Sequence, residues 1–283
     1  MKPDAFRDQV VIVTGASAGI GRALALQLAD QGARLAIAAR RAERLEQAAE
    51  ECRARGGEVL VLPTDVSNEA QCKALVEKTA ATFGRLDMLI NNAGMAVVAL
   101  LREYPDLHLF RHVIDVNFYG AVHCTYYALP YLMQTGGRIV SVSSLGGKSG
   151  LPYNTSYTAS KYALHGFYDS LRMELHPHGV SVTVICPYWV ITEFHEAYLD
   201  KDGVPRGKQG RALYTKNMMT AKRCAKIALK AAYKRRREVL IGPGGLLVWL
   251  KLIAPGFVDW LSIRFLLEPI ARRTRSGKSG IES

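Results

Sequence analysis

Short apolar runs recur along the first two thirds of the chain, and longer mixed segments separate them. The runs are rich in aliphatic and β-branched residues, as strands buried on both faces are, and they occupy residues 10–13, 34–38, 58–62, 86–90, 138–144 and 180–185. The segments between them have the length and composition of helices and occupy residues 22–29, 42–55, 69–83, 106–131 and 157–175. This alternation predicts an α/β fold with a doubly wound parallel sheet of the Rossmann type in a single domain.

The first apolar run leads into a glycine-rich turn and then a helix. The turn contains Thr14, Gly15, Ser17, Gly19, Ile20 and Gly21, and its glycines have the spacing Gly-x-x-x-Gly-x-Gly. Glycines allow close approach of the backbone to a ligand, and the start of the following helix offers free N–H groups to a pyrophosphate. After the fourth run, Asn92, Ala93 and Gly94 are small enough to let the backbone pass close to the same ligand. The two segments indicate a dinucleotide site, with ordinary glycine turns as the alternative.

The end of the second run bears on the choice of dinucleotide. Ala39 stands where an acidic residue would accept hydrogen bonds from the adenosine ribose, and Arg40 and Arg41 follow it. Two guanidinium groups suit a 2′-phosphate, so the sequence predicts NADP. The alternative is that both arginines are the solvated start of the next helix.

A pair of side chains suited to proton transfer follows the fifth run. Tyr157 and Lys161 are four residues apart in a predicted helix and therefore share one face. A neighbouring ammonium is expected to lower the pKa of the phenol, so that Tyr157 can exchange a proton at neutral pH. Ser144, at the strand end, is placed to bond the same substrate oxygen.

These motifs, in this order and separation, resemble the short-chain dehydrogenase/reductase family of the compact type, over about residues 8 to 192. The resemblance implies a nicotinamide-dependent oxidoreductase in which Tyr157 is the general acid or base. It also implies that Lys161 binds the nicotinamide ribose, that Ser144 orients the substrate, and that Asn117 holds a proton-relay water. A core hydrogen bond is the alternative role for Asn117.

The same resemblance extends to the rest of the cofactor cleft. It implies that Asp65 and Val66 lie on the adenine side, and that Pro187, Val190 and Thr192 form the turn that holds the nicotinamide carboxamide. A helix or turn cap is the alternative role for Asp65, and the two roles are compatible. Tyr188 departs from the family pattern, which has glycine at that position. Within the family, the chain is most similar to the membrane-associated hydroxysteroid and lipid-ketone branch.

The residues predicted around the substrate carry no charge. They comprise Tyr153, Tyr188 and Trp189, together with Met95, Leu145 and Phe194. An apolar lining favours a bulky ketone or secondary alcohol such as a steroid or lipid. The alternative is that these side chains belong to the core, or that Tyr188 and Trp189 pack their loop against the next helix.

Charge and cysteine content add predictions about partners and location. The five cysteines are scattered and lack metal-type spacing, which predicts reduced thiols in the cytoplasm and no metal site. The polar N-terminus leads directly into the first strand and predicts no signal peptide. The formal net charge is +12, and residues 201–283 hold 19 basic but only 5 acidic residues.

The C-terminal end is both basic and apolar. We expect residues 1–243 to form the dinucleotide-binding catalytic domain, including a substrate loop at 193–217, and residues 244–283 to form an apolar and basic extension. Lys251, Asp259 and Arg264 interrupt the apolar stretch, which favours amphipathic helices on the cytoplasmic face of a membrane over a transmembrane span. Burial in a subunit interface is the alternative. No nucleic-acid motif accompanies the basic residues, and we expect a homodimer or homotetramer.

Three hypotheses for function follow from the sequence. The first is an NADP-dependent oxidoreductase that transfers a hydride between the cofactor and a bulky apolar ketone or secondary alcohol. The second is a soluble carbonyl or 3-oxoacyl reductase. The third is a non-catalytic NADP-binding interaction protein, which the complete set of catalytic residue types disfavours.

Overall fold

A seven-stranded parallel sheet with helices on both faces forms the centre of the molecule. The structure is a computed structural model, and it describes residues 2, 4–207, 218–242 and 244–267. The sheet strands, in chain order, are β1 (Val10–Thr14), β2 (Arg34–Ala39), β3 (Glu58–Pro63), β4 (Met88–Asn91), β5 (Arg138–Val142), β6 (Ser181–Pro187) and β9 (Glu238–Ile241). A separate short pair consists of β7 (Val190–Ile191) and β8 (Met219–Thr220).

The helices cover the sheet in two layers. In chain order they are α1 (Gly19–Ala29), α2 (Ala42–Arg53), α3 (Glu69–Phe83), α4 (His108–Ile114), α5 (Gly120–Thr135), α6 (Thr155–Glu174), α7 (Ala221–Tyr233), α8 (Gly245–Ile253) and α9 (Pro255–Ser262). One core cluster joins α1, α2 and α7 to the sheet, and a second joins α3, α5 and α6 to its other face. Along β1, Val11 and Val13 belong to the first cluster and Val10 and Ile12 to the second, which explains why the run is apolar throughout.

The order of the strands places a crevice at the middle of the sheet. The sheet order is β3-β2-β1-β4-β5-β6-β9, so the chain winds outward from β1 and then returns to build the other half from β4. Ligands of doubly wound sheets bind outside the carboxyl ends of the strands at this reversal. The predicted doubly wound, single-domain fold is therefore confirmed.

Two features differ from the sequence-based description. Strand β9 was not predicted, because its four residues directly follow the basic run Lys234–Arg237 and are too few to show a period. The helix predicted over residues 106–131 is interrupted by a π-helical turn, Asp115–Tyr119, between α4 and α5. Such turns insert one extra residue into a helix and occur often at functional sites.

The chain continues beyond β9 into two short helices. Helix α8 begins against the crevice side of the sheet, because Gly244 packs on Leu145 and Tyr188. Helix α9 follows, and a π-helical turn, Ile263–Leu267, ends the described part. None of the helices in the described ranges is long and apolar enough to span a bilayer. Residues 208–217 of the substrate loop and 268–283 of the extension, with Arg272, Arg273 and Arg275, lie outside the described residues.

Candidate active site

The predicted site residues lie at the carboxyl ends of four neighbouring strands. The turn after β1 carries Gly15, the turn after β4 carries Asn92, β5 is followed by Ser144, and β6 ends at Pro187. Parallel strands bring these ends to one edge of the sheet, where α6 adds Tyr157 and Lys161. The fold thus places the dinucleotide motif and the proton-transfer motif in one crevice.

Tyr157, Lys161 and Ser144 meet at the base of this crevice. Both Tyr157 and Lys161 are buried, and the ammonium lies 5.5 Å from the centre of the Tyr157 ring. Lys161 Nζ donates a hydrogen bond to the carbonyl oxygen of Val142 at 3.1 Å. The Ser144 side chain hydrogen-bonds to the phenol and also accepts a bond from the Gly146 amide at 3.0 Å. The three groups therefore share one small volume.

The expected lowering of the Tyr157 pKa is wrong for this structure. Burial raises the pKa of Tyr157 to about 12, and the hydrogen bond to Ser144 only partly offsets this effect. Burial also lowers the pKa of Lys161 to about 8. The cause in both cases is desolvation, which disfavours the charged form of each group.

Asn117 occupies the π-helical turn between α4 and α5. Its side chain accepts a hydrogen bond from the Met95 amide at 2.7 Å and donates to the Met95 carbonyl and to Ser160 Oγ, both at 2.9 Å. These contacts match the core hydrogen-bond alternative for the Asn117 side chain. They also join the segment after Gly94 to α6, because Ser160 lies on that helix, next to Lys161.

Thr14 and Asn92 join the two turns that border the cofactor cleft. The Thr14 hydroxyl accepts hydrogen bonds from the amides of Asn92 and Ala93 at 3.0 and 3.1 Å. The Asn92 side chain donates back to the carbonyl oxygens of Thr14 and Gly15 at 2.9 and 3.3 Å. The glycine turn and the turn after β4 therefore form one rigid floor.

Glycine is required at two positions of this floor. Gly15 has φ of 66°, in the left-handed region. A Cβ on Gly21 would lie 2.3 Å from the Gly15 carbonyl oxygen, which leaves no space for a side chain. Ala18 is the N-cap of helix α1, and no side chain caps the helix. The first backbone N–H groups are therefore available to a ligand in the crevice. This arrangement fits a pyrophosphate.

Basic groups line the end of the cleft beside β2. Arg40 and Arg41 are exposed, and Arg41 Nη2 lies 3.4 Å from Ser17 Oγ. Burial raises the pKa of Asp65, but hydrogen bonds from Ser67 and the charge of Arg40 hold it below its ordinary value. Val66 packs beneath this end, against Gly120. The geometry thus leaves both guanidinium groups at the mouth of the cleft.

The other end of the cleft is formed by the segment after β6. Val190 is buried in β7, and the Thr192 side chain packs against Gly19 of the glycine turn. Tyr188 is 45% exposed and packs on Gly242 and Gly244. These two glycines accommodate the ring that replaces the family's glycine at position 188.

A group of aromatic side chains packs near Tyr157. The Phe194 ring lies 6.2 Å from the Tyr157 ring and 5.1 Å from the Tyr198 ring. Trp189 stacks on His195 at 5.2 Å. The segment is held down by backbone hydrogen bonds between Val98 and Leu199 and between Leu199 and Ala96. Trp189 therefore packs against the segment that follows it, and its place in the substrate pocket stays a prediction.

Tyr153 lies beside this aromatic group in an unusual conformation. Its φ is 64°, and its carbonyl oxygen accepts a hydrogen bond from the Ala99 amide at 2.9 Å. A tyrosine in the left-handed region is strained and persists only where its surroundings hold it. The Ala99 contact is one interaction that holds the Tyr153 backbone in this conformation. Leu145 is buried in the second core cluster, and the partly buried Met95 packs against it.

Sequence reasoning missed one polar cluster next to the site. His165, Cys186 and Glu238 place their nitrogen, sulfur and oxygen atoms within 4.8 Å of one another. These residues come from α6, β6 and β9, far apart in the chain. The only sequence signal is that His165 falls four residues after Lys161, on the same helix face.

Comparison with known proteins gives consistent relationships. A family model described as short chain dehydrogenase matches residues 9–203. "11-beta-hydroxysteroid dehydrogenase-like 4A" of Arabidopsis thaliana is 44% identical over 180 residues, which are 63% of this chain and 60% of that protein. The chain thus spans about three fifths of this relative's length. "11-beta-hydroxysteroid dehydrogenase A" of Sesamum indicum is 34% identical over 268 residues, covering 92% of this chain and 76% of that protein.

A solved structure agrees with these relationships. A short-chain dehydrogenase/reductase from Burkholderia phymatum in complex with NAD has a TM-score of 0.81 at 27% identity, covering 91% of this chain and 96% of that chain. The strand order and the crevice described above accord with this match. The chain therefore belongs to the short-chain dehydrogenase/reductase family of oxidoreductases, and its sequence relatives lie in the hydroxysteroid dehydrogenase branch.

Proposed function

We propose that the protein is an NADP-dependent oxidoreductase that transfers a hydride between the cofactor and a bulky, apolar ketone or secondary alcohol. The observation that carries the proposal is the meeting of Tyr157, Lys161 and Ser144 beside a crevice with a glycine-lined floor. Steroid-like or lipid-like substrates are supported by the names of the relatives and by the uncharged wall around Tyr157.

The side chains supply the proton chemistry of such a reaction. A bound reduced nicotinamide supplies a hydride to a carbonyl carbon. Negative charge then develops on the carbonyl oxygen, and Tyr157 donates its proton to that oxygen while Ser144 hydrogen-bonds to it. With a pKa of about 12, the phenol is protonated at neutral pH, and it is still a stronger acid than the alcohol that forms. The Lys161 ammonium stabilises the phenolate left behind.

The preference for NADP is supported by the charges at the adenosine end. Arg40 and Arg41 are exposed after β2, and the strand ends in Ala39 without a carboxylate. Arg44 is near enough to act electrostatically on Arg41, but its own guanidinium forms an ion pair with Glu193. A dianionic 2′-phosphate would find charge-assisted donors there.

We also propose that the extension contacts a membrane surface peripherally, in the cytoplasm. Exposed apolar residues of α8 and α9 support this: Leu246, Trp249, Leu252, Ile253, Phe257 and Trp260. Leu246 is 77% and Ile253 85% exposed, which is unusual for large aliphatic side chains. The five cysteines are buried and unpaired, in keeping with a reducing compartment. Assembly as a homodimer or homotetramer completes the proposal.

Turnover by a Tyr157→Phe variant tests the proposed chemistry. The wild type and the variant are assayed with NADPH and three carbonyls: a ketosteroid, a long-chain ketone and an acetoacetyl thioester. We expect the wild type to prefer the first two. We expect kcat of Tyr157→Phe to fall by about 10² to 10⁴, because the proton donor is lost, while NADPH binding is retained.

Tyr162→Phe is the matched control, because Tyr162 is exposed on the same helix and its hydroxyl contacts Lys251 instead of the crevice. It should retain wild-type turnover. Equal activity of wild type and Tyr157→Phe would remove Tyr157 from the mechanism. A wild type active only on the thioester would favour the soluble 3-oxoacyl reductase.

A further inference from the structure

A buried polar cluster lies directly behind the turn that carries Ser144. His165 Nε2 is 3.2 Å from Ser143 Oγ and 3.7 Å from Cys186 Sγ. Cys186 Sγ is in turn 3.5 Å from Glu238 Oε1, and Glu238 Oε2 is 3.0 Å from Lys148 Nζ. The cluster therefore connects α6 with the ends of β5, β6 and β9 and with the turn after Ser144.

His165 lies on the crevice-facing side of α6. Tyr157, Lys161 and His165 follow at intervals of four residues, and all three are buried. Burial lowers the pKa of His165 to about 4, and the charge of Lys148 acts in the same direction. The imidazole is therefore neutral at physiological pH, with one ring nitrogen able to accept and the other to donate.

The imidazole also packs against the Ser144 turn itself. A Cβ on Gly147 would lie 2.7 Å from His165 Cδ2 and 2.9 Å from the Lys161 carbonyl oxygen, so the turn rests on these two residues. Within the turn, the Gly147 amide donates to the Ser144 carbonyl at 2.9 Å. The Ser143 amide donates to the Ile185 carbonyl at 2.8 Å, which ties the other side of Ser144 to β6.

The same side chains have the atom types of a metal site, but their contacts already satisfy them. The Lys148 ammonium balances the Glu238 carboxylate. Burial, with the negative charge of Glu238, raises the pKa of the Cys186 thiol well above its ordinary value, so the sulfur keeps its proton and donates it to the carboxylate. These contacts join the side chains in one hydrogen-bond network.

We infer that His165 is a positioning residue for the reaction, holding Ser143 and the Ser144–Gly147 turn so that the Ser144 hydroxyl stays against the Tyr157 phenol. This inference rests on the proposed function, because it assigns a role within the same site. His165 touches no reacting atom. Its effect is geometric, and a displacement of about 1 Å in a catalytic group can reduce turnover about a hundredfold.

The test compares His165→Phe, His165→Gln and Ser143→Ala in the full chain, with NADPH and the carbonyl that the wild type reduces fastest. We expect kcat of His165→Phe to fall tenfold to a hundredfold, because the ring stays but its hydrogen bond is lost. His165→Gln, which retains a polar end, should recover part of the loss. Ser143→Ala should lower kcat by about threefold to tenfold. The double variant Ser143→Ala/His165→Phe should have the same kcat as His165→Phe, because both changes remove the same hydrogen bond. The KM for NADPH should stay unchanged throughout.

Tyr168→Phe is the matched control, because it removes another buried hydrogen bond from α6, to Asn91, on a different side of the site. It should lower thermal stability without lowering kcat. Should His165→Phe fail to fold, Ser143→Ala decides, since it removes one hydroxyl only. Wild-type kcat in Ser143→Ala, an equal loss in Tyr168→Phe, or stoichiometric zinc in the purified protein would overturn the inference.

The two proposals can fail separately. A wild type that reduces carbonyls, together with an inactive Tyr157→Phe and a fully active His165→Phe, would overturn the role of His165 alone. A wild type that reduces none of the carbonyls would overturn the proposed function and this inference with it.

Discussion

Burial governs the chemistry of individual side chains at the base of the crevice. Tyr157 and Lys161 are close enough for their charges to interact, yet the pKa of Tyr157 rises to about 12 and that of Lys161 falls to about 8. Removal from water disfavours the charged form of each group and is the largest cause of both shifts. At neutral pH the phenol therefore keeps its proton, which is the form that a ketone reduction requires.

The two arginines after β2 allow a direct test of cofactor choice. In the double variant Arg40→Ala/Arg41→Ala, we expect the Kd for NADPH to rise about tenfold to a hundredfold, because charge-assisted hydrogen bonds to the 2′-phosphate are lost. The Kd for NADH should change little. Titration of nicotinamide fluorescence measures both constants.

Arg53→Ala controls for a change of charge on the same helix, because Arg53 pairs with Glu46 at the far end of α2. It should leave both dissociation constants at their wild-type values. A wild type that binds NADH as tightly as NADPH would contradict the cofactor assignment.

At the scale of elements, α6 connects the site to the sheet. Its buried face carries Tyr157, Lys161 and His165, and it packs on the turn after Ser144. Strands β6 and β9 contribute Cys186 and Glu238 to the same contact. The last strand of the sheet thus supports the site through Glu238.

The buried imidazole that joins these elements predicts acid sensitivity. The pKa of His165 is about 4 in the folded protein against 6.5 ordinarily, so below pH 6.5 the unfolded chain takes up a proton that the folded chain does not. The free energy of unfolding should therefore fall between pH 6.5 and about 4, by ~3 kcal/mol for this group. Urea unfolding of wild type and His165→Gln at several pH values measures the difference.

His165→Gln should lack this part of the slope and be less sensitive to acid. His178→Gln, at an exposed position in the turn after α6, should follow the wild type. Parallel pH dependence of wild type and His165→Gln would contradict the assignment of a neutral, buried imidazole.

The sequence predicted the elements whose signal is local. The apolar run at β1, the glycine turn and the four-residue spacing of Tyr157 and Lys161 each depend on neighbours in the chain. The π-helical turn did not show in the pattern, because apolar residues lie on several faces of residues 106–131 and give no single stripe whose shift would reveal an inserted residue. The contacts of His165 with Cys186 and Glu238 cross 21 and 73 residues of chain, so only the assembled sheet reveals them. The predicted lowering of the Tyr157 pKa was wrong, because the burial that raises this pKa depends on the assembled fold and not on neighbouring residues in the chain.

At the scale of the whole molecule, charge and exposed apolar surface both concentrate toward the C-terminus. Residues 201–283 contain 19 of the 37 lysines and arginines, and α7 carries Lys222, Arg223, Lys226 and Lys230 on its exposed side. Helices α8 and α9 expose Trp249 and Trp260. Tryptophans and basic residues are the groups that favour the interface of an anionic leaflet.

Vesicle binding by the full chain tests the membrane proposal. We expect co-sedimentation with vesicles containing phosphatidylserine, and at least tenfold weaker binding of Trp249→Glu/Trp260→Glu, because two aromatic contacts become charged. Tyr126→Glu, which changes an exposed aromatic residue of α5, is the matched control and should bind as the wild type does. If the tryptophan variant binds equally well, or the wild type does not bind, the extension does not contact a membrane and an interface between subunits becomes the favoured role.

The π-helical turn at Asp115–Tyr119 also sets the rotational phase of α5. Each residue of a helix advances it by about 100°, so deletion of the inserted residue would swing the whole of α5 around its axis by that amount. The side that packs on the sheet, with Ala121, Cys124 and Ala128, would then no longer face the sheet. A single inserted residue therefore couples the position of Asn117 to which side of α5 faces the sheet.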